Sequence, residues 1–518
     1  MTSLDRNERF LEAMRLLEET DRSLFITGRA GTGKSTLLSH FCETTRKKPA
    51  VLAPTGVAAL NVRGQTIHNF FRFRVDVTPE KVRRRESRPR DAKLYSRLRT
   101  IVIDEVSMLR ADLLDCVDAF LRLYGPDAKR PFGGVQMVFV GDLYQLPPVV
   151  TGPERPIFTT HYETPYFFSA HALRGLELEI VELERVYRQR DPDFISLLNR
   201  VRNNSAGEAD IERLNTRFQP DHAPSGAFHV SLTTTNRKAD EINEAHLAAL
   251  RGRRHSAKAR IKGDFGTEYY PTATELRFKP GAQVMMVNND ADRRWVNGSI
   301  GVIQSLERDE GGERHLVIGL QGGGLVAVHP HTWEVYRFTL QDGMLASEPV
   351  GTFTQFPFRL AWAVTIHKSQ GKTFERIVID LDRGTFAPGQ MYVALSRCTA
   401  FEGIVLRTPI RKSHIRVDHR ISAFMTGYRY RRSEAELSLE GKVELIRRAM
   451  AERRELALTY LKANDTQSRR IVIPLAVGTQ EYRGKEFPGL KAFCTWAQEE
   501  RMFRVDRILR MEMLPLRE

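Results

Sequence analysis

Along the first 150 positions the apolar residues fall in short uninterrupted runs, SLFITG, AVLAPT, TIVIDEV and QMVFVGD. Between them lie stretches such as KSTLLSHFCETT, where apolar positions recur at helical spacing. Uninterrupted apolar runs of this length describe strands covered on both faces, as in a parallel sheet flanked by helices. An α/β core is predicted. The pattern starts again near His229, where HVSLTTTN precedes the helical RKADEINEAHLAAL, and returns at AWAVTIHKSQ, RIVIDL and GIVLRT. Two interruptions stand out. Between Phe73 and Arg99 the pattern dissolves into charged residues with Pro79 and Pro89, a small insertion. Between Gly301 and Phe358 it becomes short strands punctuated by Gly and Asn, a small β-barrel inserted into the second core. From about Ser433 a helix, EGKVELIRRAMAERR, leads into LALTYL and RRIVIPLAV, a separate module.

Composition narrows the class. No run reaches the roughly 18 apolar residues of a membrane span, and MTSLDRNERF is too polar for a secretory signal. The four cysteines (Cys42, Cys116, Cys398, Cys494) are far apart, with no pairing at zinc spacing, so neither disulfides nor structural metal are expected. These features predict a cytoplasmic protein with no membrane contact. With 79 Lys and Arg against 64 Asp and Glu the net charge is +15, which favours a polyanionic partner through counterion release.

The chemistry begins at Gly28-Arg29-Ala30-Gly31-Thr32-Gly33-Lys34-Ser35, which fits GxxxxGK[ST] between an apolar strand and a helix. Glycines let backbone N–H groups wrap phosphates at a helix N-terminus, Lys34 reaches the β and γ phosphates, and the Ser35 hydroxyl suits Mg²⁺. Gly31, Thr32, Gly33 and Thr36 complete the expected cradle. The strand TIVIDEV ends in Asp104, placed to hold Mg²⁺, and Glu105, placed to orient or deprotonate water. A third strand ends in Gly141-Asp142, and Gln145 follows with a neutral amide able to sense the γ-phosphate.

These segments carry a resemblance. FITGRAGTGKSTLL, VLAPTGVAALNVRGQTIHNFF, IVIDEVSM, VFVGDLYQLPPV, LERVYRQRDPDFISLLNRVRN, SLTTTNRKADEIN, WVNGSIGVI, LAWAVTIHKSQGKTFERIVID and GQMYVALSRC resemble, in order, the motifs of the Pif helicases, a superfamily 1 branch related to RecD. The resemblance implies an ATP-dependent DNA helicase running 5′-to-3′ on single-stranded DNA, with ATP and Mg²⁺ between two RecA-like domains. It assigns 1–72 and 100–180 to the first RecA-like domain and 73–99 to a wedge. The second RecA-like domain takes 181–300 and 359–432, with an SH3-like insertion at 301–358. Arg188 and Arg397 match the family's arginine fingers, and Gly371 sits where the second domain nears the nucleotide. Asn7 stands where the family commonly has an adenine-reading Gln. DNA is expected along Thr55, Gly56, His68, Asn69 and Phe70 on the first domain and Thr365, His367 and Lys368 on the second, with Phe70 and His68 able to stack on bases.

The tail, 433–518, resembles a WYL domain, an SH3-like regulatory module that binds ligands including single-stranded nucleic acid. Arg469, Arg470, Arg501, Arg504 and Arg507 are its candidate contacts, although Gly489-Leu490 replaces the aromatic pair that names the family. Together these imply a nucleoid-associated bacterial monomer acting on forked or 5′-tailed duplexes. A translocase that strips proteins from DNA, or a nucleic-acid sensor with the tail as output, are the competing readings.

Overall fold

The computed structural model describes residues 7–74, 76–150, 152, 154–221, 228–341, 344–381, 384–462, 467–482 and 484–515. Most of the N-terminal segment MTSLDRNERF weighed above therefore lies outside the described residues. Among those described, no helix is long and apolar enough to cross a membrane, and all four cysteines are free thiols.

The first core is a six-stranded parallel sheet. Its strands are β1 (Ser23–Gly28), β2 (Ala50–Ala53), β3 (Gln65–Thr66), β4 (Thr100–Ile103), β5 (Gln136–Gly141) and β6 (Leu178–Leu183), in the order β3-β2-β4-β5-β1-β6. Every residue of β1, β2, β4 and β5 is buried, as uninterrupted apolar runs require. On one face Leu24 and Ile26 pack with Phe10 and Leu17 of helix α1 (Glu8–Glu19) and Leu37 and Phe41 of helix α2 (Lys34–Thr44). The charged excursion after Phe73 is anchored rather than loose. Its two short helices, Pro79–Arg83 and Ala92–Ser96, bury Val82, Leu94 and Tyr95, and the Tyr95 ring meets Phe120 at 4.9 Å.

The second core is a smaller parallel sheet in which β7 (Val230–Thr233) lies between Ala363–Thr365 and Ile377–Asp380, with Ile404–Leu406 outside. The β-rich insertion is longer than 301–358. Gln283–Met286 and Phe358–Leu360 belong to its five-stranded sheet, and Arg260–Gly263 joins the hairpin of His331–Gln341 and Met344–Gln355. Arg260–Gly263 is exposed at every position and has no apolar pattern to announce it. Pairing with its neighbour makes it a strand. This insertion packs on the first core through Phe265, Tyr269, Trp333 and Phe353 against Ala53 and Ala59 of helix α3 (Gly56–Asn61) and the strand before it.

The chain divides into compact units at Asp418 rather than 433. The helix His419–Glu436 goes with the second unit, where buried Ser433 donates to the carbonyls of Ile508 and Leu509. The second unit is a five-stranded antiparallel sheet whose core joins Ile446 and Ala449 of the helix Leu439–Ala451 to Leu458, Val472, Leu490 and Phe503.

Candidate nucleotide and nucleic-acid site

Strand β1 delivers the chain into the glycine loop. Gly31 and Gly33 take φ of +80° and +85°, the left-handed region that favours residues without Cβ. A Cβ on Gly31 would lie 2.5 Å from Cβ of Arg188, so the loop is also closed from outside by the segment after β6. Tyr187 N donates to Gly31 O at 2.8 Å, and Tyr392 Oη, from the second core, accepts from Ala30 N at 2.9 Å. Lys34 opens α2 and turns back to donate to the carbonyls of Gly28 and Arg29 at 2.8 and 2.9 Å. Thr32 is buried and donates to Arg29 O, while Ser35 and Thr36 remain exposed on the first turn of α2.

Beside the loop stand the carboxylates. β4 ends at Ile103, and Glu105 then takes φ 50°, ψ 43°, a conformation that strains a side-chain-bearing residue by about 1–3 kcal/mol. Asp104 holds it there, accepting from Glu105 N at 2.9 Å. Burial, joined by the Asp104 charge, lifts the Glu105 carboxyl to about 7, against the opposing pull of Lys34, Arg397 and a hydrogen bond from Gln370. Burial likewise lifts Asp104 above the usual carboxylate range and draws Lys34 below the usual ammonium range. The donor set fits Mg²⁺ and a nucleoside triphosphate: Ser35 and Asp104 offer hard oxygen ligands, and the loop opens onto a helix N-terminus.

The second core supplies the far wall. Gln370 Nε2 donates to Glu105 Oε2 at 3.0 Å. Gly371, the next residue, is exposed and has open space where a Cβ would stand. Arg397 is 1% exposed. It donates to the carbonyls of Val393, Ser369 and Lys372 and to Ser396 Oγ, and burial together with Arg188 pulls its guanidinium down to about 9. Arg188 donates to Ser396 O at 3.3 Å, and burial lowers it as well. Lys34, Glu105, Arg188 and Arg397 are thus brought into one cleft.

Sequence reasoning missed the polar girder of this cleft. Asp142, at the end of β5, pairs with Arg202 at 3.0 Å with both side chains under a tenth exposed, and accepts from Tyr392 Oη at 3.2 Å. Arg202 also lies 4.0 Å from the Tyr144 ring centroid. An acidic residue at the carboxyl end of a strand was the available signal; its arginine lay sixty residues away, on a helix. Gln145 is buried, its amide 3.5 Å from Asp142 Oδ2. Asn7 caps α1, accepting from Phe10 N at 3.0 Å, and its amide donates to Tyr187 Oη at 3.2 Å. Tyr187, which passes 3.7 Å from the Cβ position of Gly33, therefore flanks the loop with Asn7.

The expected DNA residues divide. Thr55 caps α3, accepting from Ala58 N, and Asn69 and Lys368 are exposed. His68 and His367 are half-buried, and burial keeps both below the ordinary imidazole value. Three of them are covered in this structure. Phe70 is 4% exposed, its ring packed on Phe71, Tyr95 and Phe338 as a core residue is. Gly56 is covered: a Cβ there would meet Glu268 O at 2.0 Å. Thr365 is buried, its hydroxyl accepting from Lys368 N. A bridge not foreseen runs from the second core to α3, in which Lys372 donates to Asn297 Oδ1 and Asn297 Nδ2 donates to Asn61 Oδ1 at 3.1 Å.

In the second unit three of the candidate arginines have partners of their own. Arg501 pairs with Glu499, Arg504 with Asp506, and Arg470 lies 4.1 Å from the Trp496 ring centroid. The surface instead shows Ile471, Ile473, Leu475, Met502 and Trp496, the last 75% exposed.

Two parallel cores, with a glycine loop on one and Arg397 from the other reaching the same cleft beside Arg188, define a two-core P-loop protein of the RecA-like helicase fold. Residues 6–211 match the family model described as PIF1-like helicase, and 441–513 match that of the WYL domain. The chain is 32% identical to the ATP-dependent DNA helicase Pif1 of Bdellovibrio bacteriovorus, over 75% of this chain and 85% of that one. It is 34% identical to the ATP-dependent DNA helicase PIF1 of Mus musculus, over 81% of this chain and 62% of that one. Bacteroides sp. Pif1 in complex with ADP-AlF4 superposes with a TM-score of 0.75 at 34% identity, covering 82% of this chain and 97% of that one; bound to single-stranded DNA, Bacteroides Pif1 gives 0.59 at 33% identity, with 82% and 97% covered. The chain belongs to the PIF1-like helicase family and carries a C-terminal WYL domain. It spans 60 to 63% of the length of the first curated relatives it matches.

Proposed function

We propose that this chain is an ATP-driven motor that moves 5′-to-3′ on single-stranded DNA and unwinds forked or 5′-tailed duplexes. The observation that carries the reading is the contact of Gln370 with Glu105 across the cleft, beside Lys34 and Arg397. The carboxylate placed to activate water answers directly to the position of the second core. Lys34 and the loop amides bind phosphate, Glu105 takes the proton of the attacking water, and Arg188 and Arg397 meet the charge that grows on the phosphoryl group only when the cores close. Ser35 and Asp104 would hold Mg²⁺, which would supply neutralisation of phosphate charge. Asn7 and Tyr187 border the base.

Closure also moves the grips. One is built on α3 and the turn at His68 and Asn69, the other on His367 and Lys368, so each cycle changes the spacing of two contacts on one strand. The subdivision is taken as two RecA-like domains with a helical wedge and a β insertion, and the WYL module as a regulatory or second nucleic-acid-binding surface. The reading is tested by unwinding duplexes that carry either a 5′ or a 3′ single-stranded tail. Opening of 5′-tailed substrates alone is expected; opening of 3′-tailed substrates alone, or ATP turnover indifferent to single-stranded DNA, refutes it.

A further inference from the structure

The carboxyl edge of the second core carries a ring that nucleotide chemistry does not use. Phe386 is 57% exposed, yet its backbone is fixed on both sides. Its N–H donates to Oε1 of fully buried Gln390 at 3.1 Å, and its carbonyl accepts from Arg416 Nη1 at 3.2 Å. Next to it, Thr385 Oγ1 donates to His414 O at 2.9 Å. A large apolar side chain is thus presented to solvent on a backbone with little freedom to withdraw it. Its plane lies within 11° of the His367 imidazole, with centroids 6.0 Å apart. Burial keeps His367 below its ordinary value, so at neutral pH it acts as a ring rather than a cation. Lys368 follows in the chain, and both it and Arg416 are exposed. A pair of near-parallel rings, with an exposed Lys next to one in sequence and an exposed Arg bonded to the backbone of the other, has the chemistry of a single-strand groove, where flat rings accept any base and cations follow the phosphates.

We infer that Phe386 is a nucleobase-stacking residue of the second core, one base resting on its ring beside His367 while Lys368 and Arg416 meet the flanking phosphates. The inference rests on the single-strand reading given above. Phe70, by contrast, is buried in the first core.

The test is fluorescence anisotropy of the full chain with an oligothymidine and with a fully abasic strand of equal length. The wild-type chain is expected to prefer the thymidine strand. Phe386→Ala weakens thymidine binding by about tenfold and leaves abasic binding unchanged, and Phe386→Trp restores the preference. Phe386→Leu, which keeps an apolar side chain and its local packing, separates stacking from folding and should also lose the preference. The inference is overturned if Phe386→Ala and Phe386→Leu bind thymidine like the wild type, or if both strands weaken equally. A wild-type chain that binds neither strand overturns the reading underneath instead.

Discussion

Glu105 offers the sharpest test of the cleft. Burial and Asp104 hold its carboxyl near 7, so as a base it is half ionised at neutral pH. Activity carried by the ionised form is lost as pH falls. About nine-tenths of Glu105 is ionised at pH 8 and about one-tenth at pH 6, which predicts a roughly tenfold fall in kcat/KM for ATP between them. Gln370 Nε2 donates to the ionised form, so removing it with Gln370→Leu raises the midpoint. A hydrogen bond to a charged group is worth about 1.5 kcal/mol, or about one pH unit at 1.36 kcal/mol per unit. At pH 7 the ionised share then drops from about one-half to about one-tenth, and kcat/KM drops about fivefold with it. The assay is steady-state ATP hydrolysis at saturating single-stranded DNA and constant ionic strength, from pH 5.5 to 8.5, for both chains. A profile flat between pH 6 and 8, or a Gln370→Leu midpoint moved to lower pH, would refute the reasoning.

Lys34→Ala should abolish ATP turnover while single-strand affinity in anisotropy stays close to wild type, because the loop lysine faces the loop carbonyls and not the DNA grips. Arg188→Ala and Arg397→Ala should each lower kcat by about a thousandfold with a smaller change in KM, measured by single-turnover hydrolysis. Asp142→Asn strands Arg202 as a buried unpaired cation and should cost about 3 kcal/mol, read as an earlier urea transition; Arg202→Met in the same chain should recover most of it. In the WYL unit, Leu458→Ala removes a side chain that is 1% exposed and should lower the stability of that unit by about 3 kcal/mol, leaving ATP hydrolysis by the rest of the chain intact.

The local pattern reached far into the first core. Strands buried on both faces are apolar at most positions, so β1, β4 and β5 announced themselves, and functional residues follow each of them. Lys34, Asp104 and Glu105 were legible because the loop, strand and helix that place them are contiguous in the chain. The insertion was harder. Arg260–Gly263 carries two basic residues, and its edges read as loop until the long hairpin pairs with it. The second unit begins at Asp418 because Ser433 and Ile421 of the helix His419–Glu436 are buried, a fact of packing that its lack of a continuous apolar stripe concealed.

By itself, then, the sequence determined the two cores, the glycine loop and the chemistry of the residues set at strand ends, since each follows from short-range periodicity and backbone geometry. Tertiary structure alone decided which groups meet. It put Gln370 on Glu105, joined Asp142 to Arg202 and Tyr392, buried Phe70 under Phe338 and left Phe386 in solvent. The physical reason is one of range. Periodicity reports which face of an element is covered, whereas the partner that covers it, and the charge that shifts its pKa, come from residues tens to hundreds of positions away.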